Sequence, residues 1–312
     1  MILVTGGTGF VGRRVVARLA AHGQRVRVLT RSRKSAQDLP PGVDVVEGSL
    51  VEPGSLAPAL DGVDRVIHLA AALAGGRVVD VNVAGTHALA SAARAGSVRQ
   101  FVHCSSAGVY GDGDVRVAHR EADVPRPGSA YERSKLEGER AAIAALEGHV
   151  SWTILRPAGV YGPGRPATAA FLRQVRDRRF WLHGPSMVIV HPTFVDDVAD
   201  AVVAVVSRAN LAGEIINVGG ATALAYEQLI DQAALALGVN VRHIHMPTIF
   251  RQIARGGQAI GILPARFDRL TRAVINRSVD TAKAAHLLGL VPVPLSDGLA
   301  MTVSALRKAG WS

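Results

Sequence analysis

The first half of the chain alternates short runs of β-branched residues with alanine-rich helical stretches, and this alternation limits the possible folds more than any other feature. The predicted strands are 2–6, 26–30, 43–49, 63–71, 101–106 and 152–157, and the predicted helices between them are 13–23, 55–62, 81–96 and 129–146. Strands and helices that alternate at this spacing form right-handed βαβ units. The sequence therefore predicts an α/β protein with a doubly wound parallel sheet.

A glycine-rich loop separates the first strand from the first helix. Its residues are Gly6, Gly7, Thr8, Gly9, Phe10, Val11 and Gly12. The glycines let the backbone turn tightly and approach a pyrophosphate, whose charge is stabilised at the N-terminus of the following helix. A glycine triplet alone is a weak signal, but its place in the first βαβ unit makes it a strong one for dinucleotide binding. We therefore expect a Rossmann-type nucleotide-binding domain.

Proline and glycine in YGPGRP (161–166) mark a change in the pattern, because helices predominate after them and strands become short. The predicted boundaries are 1–165 with parts of about 188–220 for the nucleotide-binding domain, and mainly about 166–187 with 221–312 for a smaller C-terminal substrate-binding lobe. Residues 246–277 contain no acidic side chain except Asp268. They are either a flexible lid over an apolar substrate or a packed pair of helices with a basic exposed face.

Composition argues against several classes of protein. The chain has 312 residues, of which 48% are hydrophobic and 19% charged, so a sizeable core is available and disorder is not expected. The formal net charge of +10 comes mostly from arginines that are scattered along the chain, and aromatic residues are few. This pattern does not predict nucleic-acid binding, because charge alone supports only non-specific attraction. Anionic small molecules are the expected partners.

Cysteine usage and the distribution of apolar residues bear on the cellular compartment. Cys104 is the only cysteine, so neither a disulfide framework nor a thiol-based zinc site is expected, and no metal site is predicted. The sequence shows no basic segment followed by an apolar signal-peptide core, and no apolar run that approaches the roughly 18 residues of a membrane span. It therefore predicts a cytoplasmic protein without a membrane span.

Tyr131 and Lys135 stand four positions apart in a predicted helix, so their side chains share one face. An ammonium group beside a phenol lowers the pKa of the phenol, because the positive charge favours the phenolate. A tyrosine with a lowered pKa exchanges a proton with a substrate hydroxyl or carbonyl group near neutral pH. This spacing is common by chance, and it becomes informative only together with the glycine loop.

The predicted strand FVHCSS (101–106) brings two serines, Ser105 and Ser106, to its carboxyl end. Ligands of this fold bind beyond the carboxyl ends of the strands, where a hydroxyl can stabilise charge on a substrate oxygen. The alternative role for a serine here is to cap a turn, and that role suits Ser105 better than Ser106. The sequence therefore places at least one candidate catalytic hydroxyl beside the expected ligand.

Seven segments follow one another in the order of a known family. They are TGGTGFVG, HLAA (68–71), NVAGT (82–86), SSAGVYG, YERSK, LRPAGVYGPG (155–164) and FVDDVADAV (194–202), and VDTAKAAHLLGLVP (279–292) resembles the family's C-terminal segment. The chain thus resembles the extended short-chain dehydrogenase/reductase family, which is the NAD-dependent epimerase/dehydratase superfamily, over nearly all of its length. Within that family it looks closer to the hydroxysteroid-dehydrogenase and dihydroflavonol-reductase branches.

The resemblance implies roles for individual residues. Tyr131 would be the general acid/base, Lys135 would tune its pKa and bind the ribose, and Ser106 would hold the reacting oxygen, because it directly precedes the A-x-V-Y-G run. The other implied cofactor contacts are Ser49 and Leu50 near the adenine, where the family often has an aspartate, then Leu69, Ala70, Ala71 and Asn82, and finally Pro157 and Val160 beside the nicotinamide. The family also implies a homodimer.

The end of the second strand departs from the NAD-binding members of the family. These commonly carry an aspartate that binds the adenosine ribose, whereas this chain has Arg31, Ser32 and Arg33 and no acid before Asp38. The two guanidinium groups and the hydroxyl are suited to a ribose 2′-phosphate. We therefore predict NADP as the cofactor, with NAD the weaker candidate; the alternative is a basic loop that only contacts solvent.

Two further departures choose among the reactions of the family. Dehydratases carry an Asp-Glu pair next to the catalytic hydroxyl, but this chain has Ala107 and Gly108, and nucleotide-sugar epimerases often have an asparagine where Gly159 stands. The favoured interpretation is an NADP-dependent oxidoreductase that interconverts a carbonyl and a secondary alcohol on a small, moderately apolar molecule. The alternatives are a nucleotide-sugar epimerase and a non-catalytic NADP-sensing protein.

Overall fold

The computed structural model describes residues 1–113, 117–178, 180–183, 187–208, 210–245 and 274–311. Its helices are α1 (Phe10–Ala21), α2 (Leu56–Leu60), α3 (Gly85–Ala95), α4 (Ala130–Leu146), α5 (Pro166–Asp177), α6 (Val195–Val206), α7 (Tyr226–Leu237), α8 (Ala282–Leu288) and α9 (Leu295–Lys308). Its strands are β1 (Ile2–Thr5), β2 (Val26–Thr30), β3 (Asp44–Glu47), β4 (Arg65–His68), β5 (Gln100–Cys104), β6 (Ser151–Pro157), β7 (Gly159–Tyr161), β8 (Phe180–His183), β9 (Met187–Val190), β10 (Pro192–Phe194), β11 (Glu214–Val218), β12 (Leu224–Ala225), β13 (Arg242–His245) and β14 (Val274–Asn276).

Seven strands form the central sheet in the order β11-β6-β5-β4-β1-β2-β3. All neighbouring strands of this sheet run parallel, as right-handed βαβ crossovers require. The order reverses beside β1, whose neighbours are β2 and β4. Sheets of this kind bind ligands at such a reversal, outside the carboxyl ends of the strands. The predicted α/β class and doubly wound parallel sheet are therefore confirmed.

Two apolar clusters cover the two faces of the sheet. Ile2 and Val4 belong to the first cluster, with α1 and α6, and Leu3 belongs to the second, with α2, α3 and α4. Successive residues of a strand point to opposite faces, so the sheet is covered by helices on both sides. Strands buried in this way consist of continuous apolar runs, which explains the composition ILVT of β1.

The second half of the chain forms an apolar cluster of its own. Leu172 of α5, Ile230 of α7 and Leu299 of α9 are buried in it. The sequence did not predict the short strands β7 and β10, which pair in parallel, and β9 pairs with β12 and β14. Residues 246–273, for which the sequence left a lid or a packed helical pair open, lie outside the described residues. Within the described residues, no helix has both the length and the apolar character needed to cross a membrane.

Candidate active site

The glycine loop follows β1 and packs against the backbone of its neighbours. Gly6 has a φ of 69°, a conformation that residues with a Cβ rarely adopt. A Cβ on Gly6 would lie only 2.6 Å from the backbone nitrogen of Ala70, and a Cβ on Gly12 would collide with the carbonyl oxygen of Gly6. Glycine is therefore required at both positions by the close packing of strand, loop and helix.

The N-terminus of α1 fits an anionic group. Gly9 is its N-cap, no side chain caps it, and its first turn contains no acidic residue. The first N–H groups of a helix have no partner within the helix, and the helix dipole favours negative charge beside them. This is the arrangement in which a dinucleotide diphosphate is bound. The residues present at the loop therefore fit the cofactor that the sequence predicts.

Helix α4 carries Tyr131 and Lys135 and begins with a capping box. The Ser129 hydroxyl accepts a hydrogen bond from the N–H of Glu132, and the Glu132 carboxylate accepts one from the N–H of Ser129. The Lys135 side chain is buried, and its ammonium donates a 2.8 Å hydrogen bond to the carbonyl oxygen of Cys104. Burial lowers the pKa of Lys135. The helix is thus held against the carboxyl end of β5, where the catalytic residues are expected.

The environment of the Tyr131 phenol differs from the prediction. Burial raises the pKa of Tyr131 to about 12, and the groups that lower it are the Arg165 guanidinium and a hydrogen bond with Ser106. The Lys135 ammonium is instead directed to the carbonyl of Cys104. The expectation that the phenol has a lowered pKa is therefore wrong for the protein without ligands, because desolvation outweighs the nearby positive charge.

Arg165 is a cation that the sequence analysis did not place beside Tyr131. Its guanidinium donates a hydrogen bond to the carbonyl oxygen of Val160 and lies 5.9 Å from the centre of the Phe10 ring. It thus reaches from β7 to the start of α1. The only sequence feature that could point to this role is the position of Arg165 directly after YGPG, and that position does not tell where its side chain is directed.

The two serines differ from the prediction in one respect. Ser106 is the N-cap of the 3₁₀ helix Ala107–Tyr110, and its hydroxyl accepts a 3.0 Å hydrogen bond from the N–H of Gly108. The Ser105 hydroxyl is buried and has no hydrogen-bond partner within the described residues. The expectation that Ser105 is the better turn cap is therefore wrong. Ser106 is also among the groups that lower the pKa of the Tyr131 phenol, so the two predicted catalytic hydroxyls are neighbours.

Asn82 is buried, and its amide is engaged within the protein. Its Nδ2 donates 2.9 Å hydrogen bonds to the carbonyl oxygen of Ala72 and to the hydroxyl of Ser134. Its Oδ1 accepts a 2.8 Å hydrogen bond from the N–H of Ala72. Asn82 therefore ties the segment after β4 to helix α4, and both of its amide hydrogens are used. Its predicted contact with the cofactor stays a prediction.

Other predicted cofactor contacts lie at or after the carboxyl ends of strands of the central sheet, except Val160, which lies in the separate strand β7. They are Ser49 and Leu50 after β3, Leu69, Ala70 and Ala71 after β4, Pro157 at the end of β6, and Val160 in β7. Because the strands of the sheet are parallel, their carboxyl ends share one edge. Of these residues, Leu69 and Ala70 pack directly against Gly6 of the glycine loop, and the roles of all of them toward the cofactor stay predictions.

The predicted 2′-phosphate site lies after β2. Arg31 and Arg33 are exposed and Ser32 is half-buried. The Thr30 hydroxyl donates a 3.1 Å hydrogen bond to the carbonyl oxygen of Ser32, and the 3₁₀ helix Arg33–Ala36 follows. The backbone of this loop is therefore ordered by local hydrogen bonds, while its cationic side chains extend into solvent.

Arg13 joins this loop to the glycine loop, and sequence reasoning missed it. Its guanidinium donates hydrogen bonds to the carbonyl oxygens of Thr8 at 3.0 Å and Ser35 at 2.9 Å. It also pairs with Asp38, the first acid after β2, at 3.2 Å. Arg13 therefore adds a third cation near the loop after β2 and forms an ion pair with the first acid that follows it in the sequence.

A buried carboxylate lies beside the catalytic hydroxyls although position 108 is glycine. A Cβ on Gly108 would lie 3.0 Å from Cγ of Glu132. The Glu132 carboxylate accepts hydrogen bonds from the N–H groups of Gly128 and Ser129 and pairs with Arg277 at 2.6 Å. Burial raises the pKa of Glu132, but the hydrogen bond with Arg277 and the other bonds outweigh burial and lower it. Glu132 is thus an ion-paired carboxylate that secures the start of α4.

Comparison with known families gives a match over the whole central sheet. The model of the NAD dependent epimerase/dehydratase family matches residues 2–219. This range runs from β1 to the end of β11 and contains the glycine loop, both serines and the Tyr-Lys helix.

Curated relatives include reductases, dehydrogenases and epimerases. The 4-hydroxy-2-methyl-3-oxo-4-farnesyl-3,4-dihydroquinoline-1-oxide ketoreductase of Stigmatella aurantiaca is 32% identical over 58% of this chain and 57% of its own length. The 3 beta-hydroxysteroid dehydrogenase/Delta 5-->4-isomerase of Mycobacterium tuberculosis is 33% identical over 52% of this chain and 48% of its own. These alignments span about half the length of the relatives. The UDP-glucose 4-epimerase of Mycolicibacterium smegmatis is 30% identical over 98% of both chains.

Solved structures with the same fold include a complex with a nucleotide sugar. MoeE5 in complex with UDP-glucuronic acid and NAD has a TM-score of 0.77 and 26% sequence identity, over 99% of both chains. The similarity extends beyond the central sheet into the second half of the chain.

Proposed function

Because this chain belongs to the NAD-dependent epimerase/dehydratase family, we propose that it is an NADP-dependent oxidoreductase that interconverts a ketone and a secondary alcohol on a small, moderately apolar molecule. The observation that carries the proposal is the meeting of three side chains at the carboxyl end of β5: the Ser106 hydroxyl acts on the Tyr131 phenol and lowers its pKa, and Lys135, on the same helix as Tyr131, bonds to the carbonyl oxygen of Cys104. Ala107 and Gly108 occupy the positions of a dehydratase's acidic pair, which argues against loss of water.

Each member of this trio has a distinct role in the proposed reaction. Tyr131 carries its proton at neutral pH, because its pKa is about 12, so in reduction the phenol gives its proton to the substrate oxygen. The Ser106 oxygen accepts from Gly108, and with substrate bound its own hydrogen would be donated to the same substrate oxygen, where it stabilises negative charge. Lys135 would bind the ribose. The bound dinucleotide supplies the hydride in reduction and accepts it in oxidation.

The choice of NADP rests on the loop after β2. Arg31, Ser32 and Arg33 offer two cations and a hydroxyl to a 2′-phosphate, and Arg13 lies between this loop and the glycine loop. Asp38, the first acid after β2 in the sequence, is paired with Arg13. Charge-assisted hydrogen bonds from arginine suit a phosphate, so these residues favour NADP over NAD.

The second candidate function is that of a nucleotide-sugar epimerase. Two observations favour it: a relative that aligns over 98% of both chains is a UDP-glucose 4-epimerase, and the net charge of +10 suits an anionic substrate. Gly159, where such enzymes often carry an asparagine, argues against it. A non-catalytic NADP-sensing role is the third alternative, and the complete Ser-Tyr-Lys trio argues against it.

The architecture suggests how the substrate is enclosed. We assign residues 1–165 with parts of about 188–220 to the NADP-binding domain, and about 166–187 and 221–312 mainly to a substrate-binding lobe. The separate apolar cluster of α5, α7 and α9 supports this division. The homodimer implied by the family is also part of the proposal, and sedimentation of the purified protein tests it.

A carbonyl panel tests the proposed reaction. Purified protein is mixed with NADPH and a set of apolar ketones, and oxidation of NADPH is followed by its absorbance; we expect turnover with at least one ketone. In a parallel thermal-shift panel with UDP-sugars and NAD, we expect no stabilisation beyond that given by the dinucleotide alone. Stabilisation by a UDP-sugar with epimerisation and no net consumption of the dinucleotide would establish the second candidate instead.

The pH dependence of the rate tests the role of Tyr131. A phenol with a pKa of about 12 is fully protonated near neutrality. The rate of reduction should therefore stay level from about pH 6 to 9 and fall only as the phenol ionises, whereas oxidation, which needs the phenolate, should accelerate with rising pH. If reduction instead falls with a midpoint near neutral pH, either the phenol pKa is lowered when ligands bind or another group is the acid.

A further inference from the structure

Two histidines occupy equivalent places on neighbouring strands but have opposite hydrogen bonding. His68 of β4 and His103 of β5 are paired in the register of the sheet, and their ring centroids lie 5.0 Å apart. Both are buried, with 0% and 1% of their surfaces exposed. Both ring nitrogens of His68 have a partner, whereas neither nitrogen of His103 has one within the described residues.

The His68 ring is a link in a buried chain of hydrogen bonds. Its Nδ1 lies 2.7 Å from the hydroxyl of Thr5, and its Nε2 lies 2.9 Å from the hydroxyl of Thr86. The Thr86 hydroxyl contacts the carbonyl oxygen of Asn82 at 2.8 Å. The Asn82 amide donates to the hydroxyl of Ser134 at 2.9 Å. All five residues are buried, so the chain is shielded from water.

The partners assign a tautomer to His68. The carbonyl oxygen of Asn82 can only accept, so the single hydrogen of the Thr86 hydroxyl is directed to it. The Thr86 oxygen must then accept from His68, which places a proton on Nε2. A neutral ring with a proton on Nε2 accepts at Nδ1, so the Thr5 hydroxyl donates there. Burial lowers the pKa of His68 to about 3, which agrees with a ring that carries one proton.

This chain of hydrogen bonds joins the two halves of the candidate active site. Thr5 is the last residue of β1 and directly precedes the glycine loop. At the other end, the Ser134 hydroxyl donates a 2.8 Å hydrogen bond to the carbonyl oxygen of Tyr131. Helix α4 approaches closely here, since a Cβ on Gly138 would collide with the carbonyl oxygen of Asn82. The chain therefore runs without a gap from the cofactor loop to the backbone of the catalytic tyrosine.

We propose that His68 is a positioning residue that fixes the separation between the glycine loop and the Tyr131 helix, and with it the geometry between the bound cofactor and the catalytic hydroxyls. This inference rests on the proposed function for its kinetic part. Because the imidazole ring is rigid and both of its nitrogens are bonded, it bridges the hydroxyls of Thr5 and Thr86 at a defined separation. A misplacement of about 1 Å between reacting groups can lower a rate on the order of 100-fold.

The kinetic test compares His68→Leu with His103→Leu. Both substitutions put the same apolar side chain into adjacent, equally buried places, but only the first breaks the chain. We expect kcat to fall on the order of 10- to 100-fold in His68→Leu, with KM for substrate and cofactor within about twofold of the wild-type values. We expect His103→Leu to keep kcat within about threefold. Equal losses in the two variants would show that His68 matters only for packing, and an unchanged kcat in His68→Leu would overturn the proposal.

Two milder variants separate positioning from folding. Glutamine can place an amide N–H near the position of Nε2, so His68→Gln should recover most of the lost kcat. Thr86→Val keeps the shape of the side chain and removes the acceptor for His68, so it should reproduce the loss even if His68→Leu does not fold. Full activity of Thr86→Val, or no recovery in His68→Gln, would contradict the assignment.

Two measurements on the protein without ligands do not depend on finding a substrate. In nitrogen-15 spectra of the histidines, His68 should show a proton on Nε2 at every pH between about 5 and 9, because its pKa of about 3 keeps the ring neutral and its hydrogen bonds to Thr86 and Thr5 select this tautomer. Hydrogen exchange of the peptide that contains Ala70 and Ala72, whose N–H groups bond to Thr5 and Asn82, should accelerate in His68→Leu and not in His103→Leu. A proton on Nδ1, or equal exchange in both variants, would contradict the proposed role of the hydrogen-bond chain. These two outcomes do not depend on whether the proposed reaction is correct.

Discussion

The two ends of the candidate cofactor cleft are built in opposite ways. At the catalytic end, Lys135 is 2% exposed and its ammonium is held by a backbone carbonyl. Beneath it, Glu139 and Arg156 form a buried ion pair with two hydrogen bonds of 2.6 and 3.0 Å. At the adenosine end, Arg31 and Arg33 are exposed, and the ion pair of Arg13 involves an Asp38 side chain that is 83% exposed.

The contrast in burial indicates which measurable property of the protein depends on each end of the cleft. Charges that are buried and bonded have one position, so they fix geometry, and removing one partner leaves the other desolvated. Exposed cations keep their freedom and their water, so they contribute attraction that salt screens. We therefore expect substitutions at the catalytic end to change turnover and stability, and substitutions at the adenosine end to change the affinity for one cofactor.

The largest effect is expected from Tyr131→Phe at the catalytic end. Loss of the phenol hydroxyl removes the proton donor, and general acid catalysis contributes on the order of 100- to 10,000-fold. Cofactor affinity should stay close to that of the wild type, because the hydroxyl acts on the substrate and not on the dinucleotide. Steady-state kinetics and a fluorescence titration of NADPH check both parts. If the variant keeps more than about a tenth of the wild-type rate, Tyr131 is not the proton donor.

The two ion pairs give the next largest difference, measured as stability. Glu139→Gln leaves the buried Arg156 charge without its partner, so it should reduce the free energy of unfolding by about 3–5 kcal/mol. Asp38→Asn breaks the exposed pair with Arg13 and should cost less than about 1 kcal/mol. Urea denaturation of both variants measures the two values. Equal losses of unfolding free energy in the two variants would mean that the buried ion pair at the catalytic end contributes no more to stability than the exposed pair at the adenosine end.

Ser106→Ala should lower the rate on the order of 100-fold, the scale of losing one hydrogen-bond donor to a developing oxyanion. Ser105→Ala should cost far less, because the Ser105 hydroxyl has no partner within the described residues. Ser106→Thr is the control, because it keeps the hydroxyl that accepts the hydrogen bond from the N–H of Gly108; it should keep most of the activity. The reverse order of the two alanine variants would mean that the match of this segment to the family motif is displaced by one residue.

The smallest effect is expected at the adenosine end. Arg31→Ala should weaken NADPH binding about ten- to a hundredfold and leave NADH binding nearly unchanged, since only NADPH carries the 2′-phosphate. Added salt should reduce the wild-type preference for NADPH. Fluorescence titrations of both cofactors into both proteins provide the measurement. A wild-type preference for NADH, or equal losses of both cofactors, would identify the loop as basic surface only.

Much of the fold and part of the site follow from local sequence patterns. The period of the apolar residues marks strands and helices, and the glycines before α1 mark the tight turn, because both depend on neighbours in the chain. The four-residue spacing puts Tyr131 and Lys135 on one face of a helix, and together with the glycine loop it makes them candidates for the site. The family motifs placed Ser106 next to them.

Only the tertiary structure decides the electrostatics of these residues. Burial sets the pKa of Tyr131 to about 12, and burial depends on segments that pack from elsewhere in the chain. The negative charge of Glu132 is balanced by Arg277, which is 145 positions away in the sequence. His68 is hydrogen-bonded to Thr5, which is 63 positions away. Sequence patterns report neighbours within a few residues, whereas the charge and hydrogen-bond partners of a buried group are chosen by the packing of distant segments.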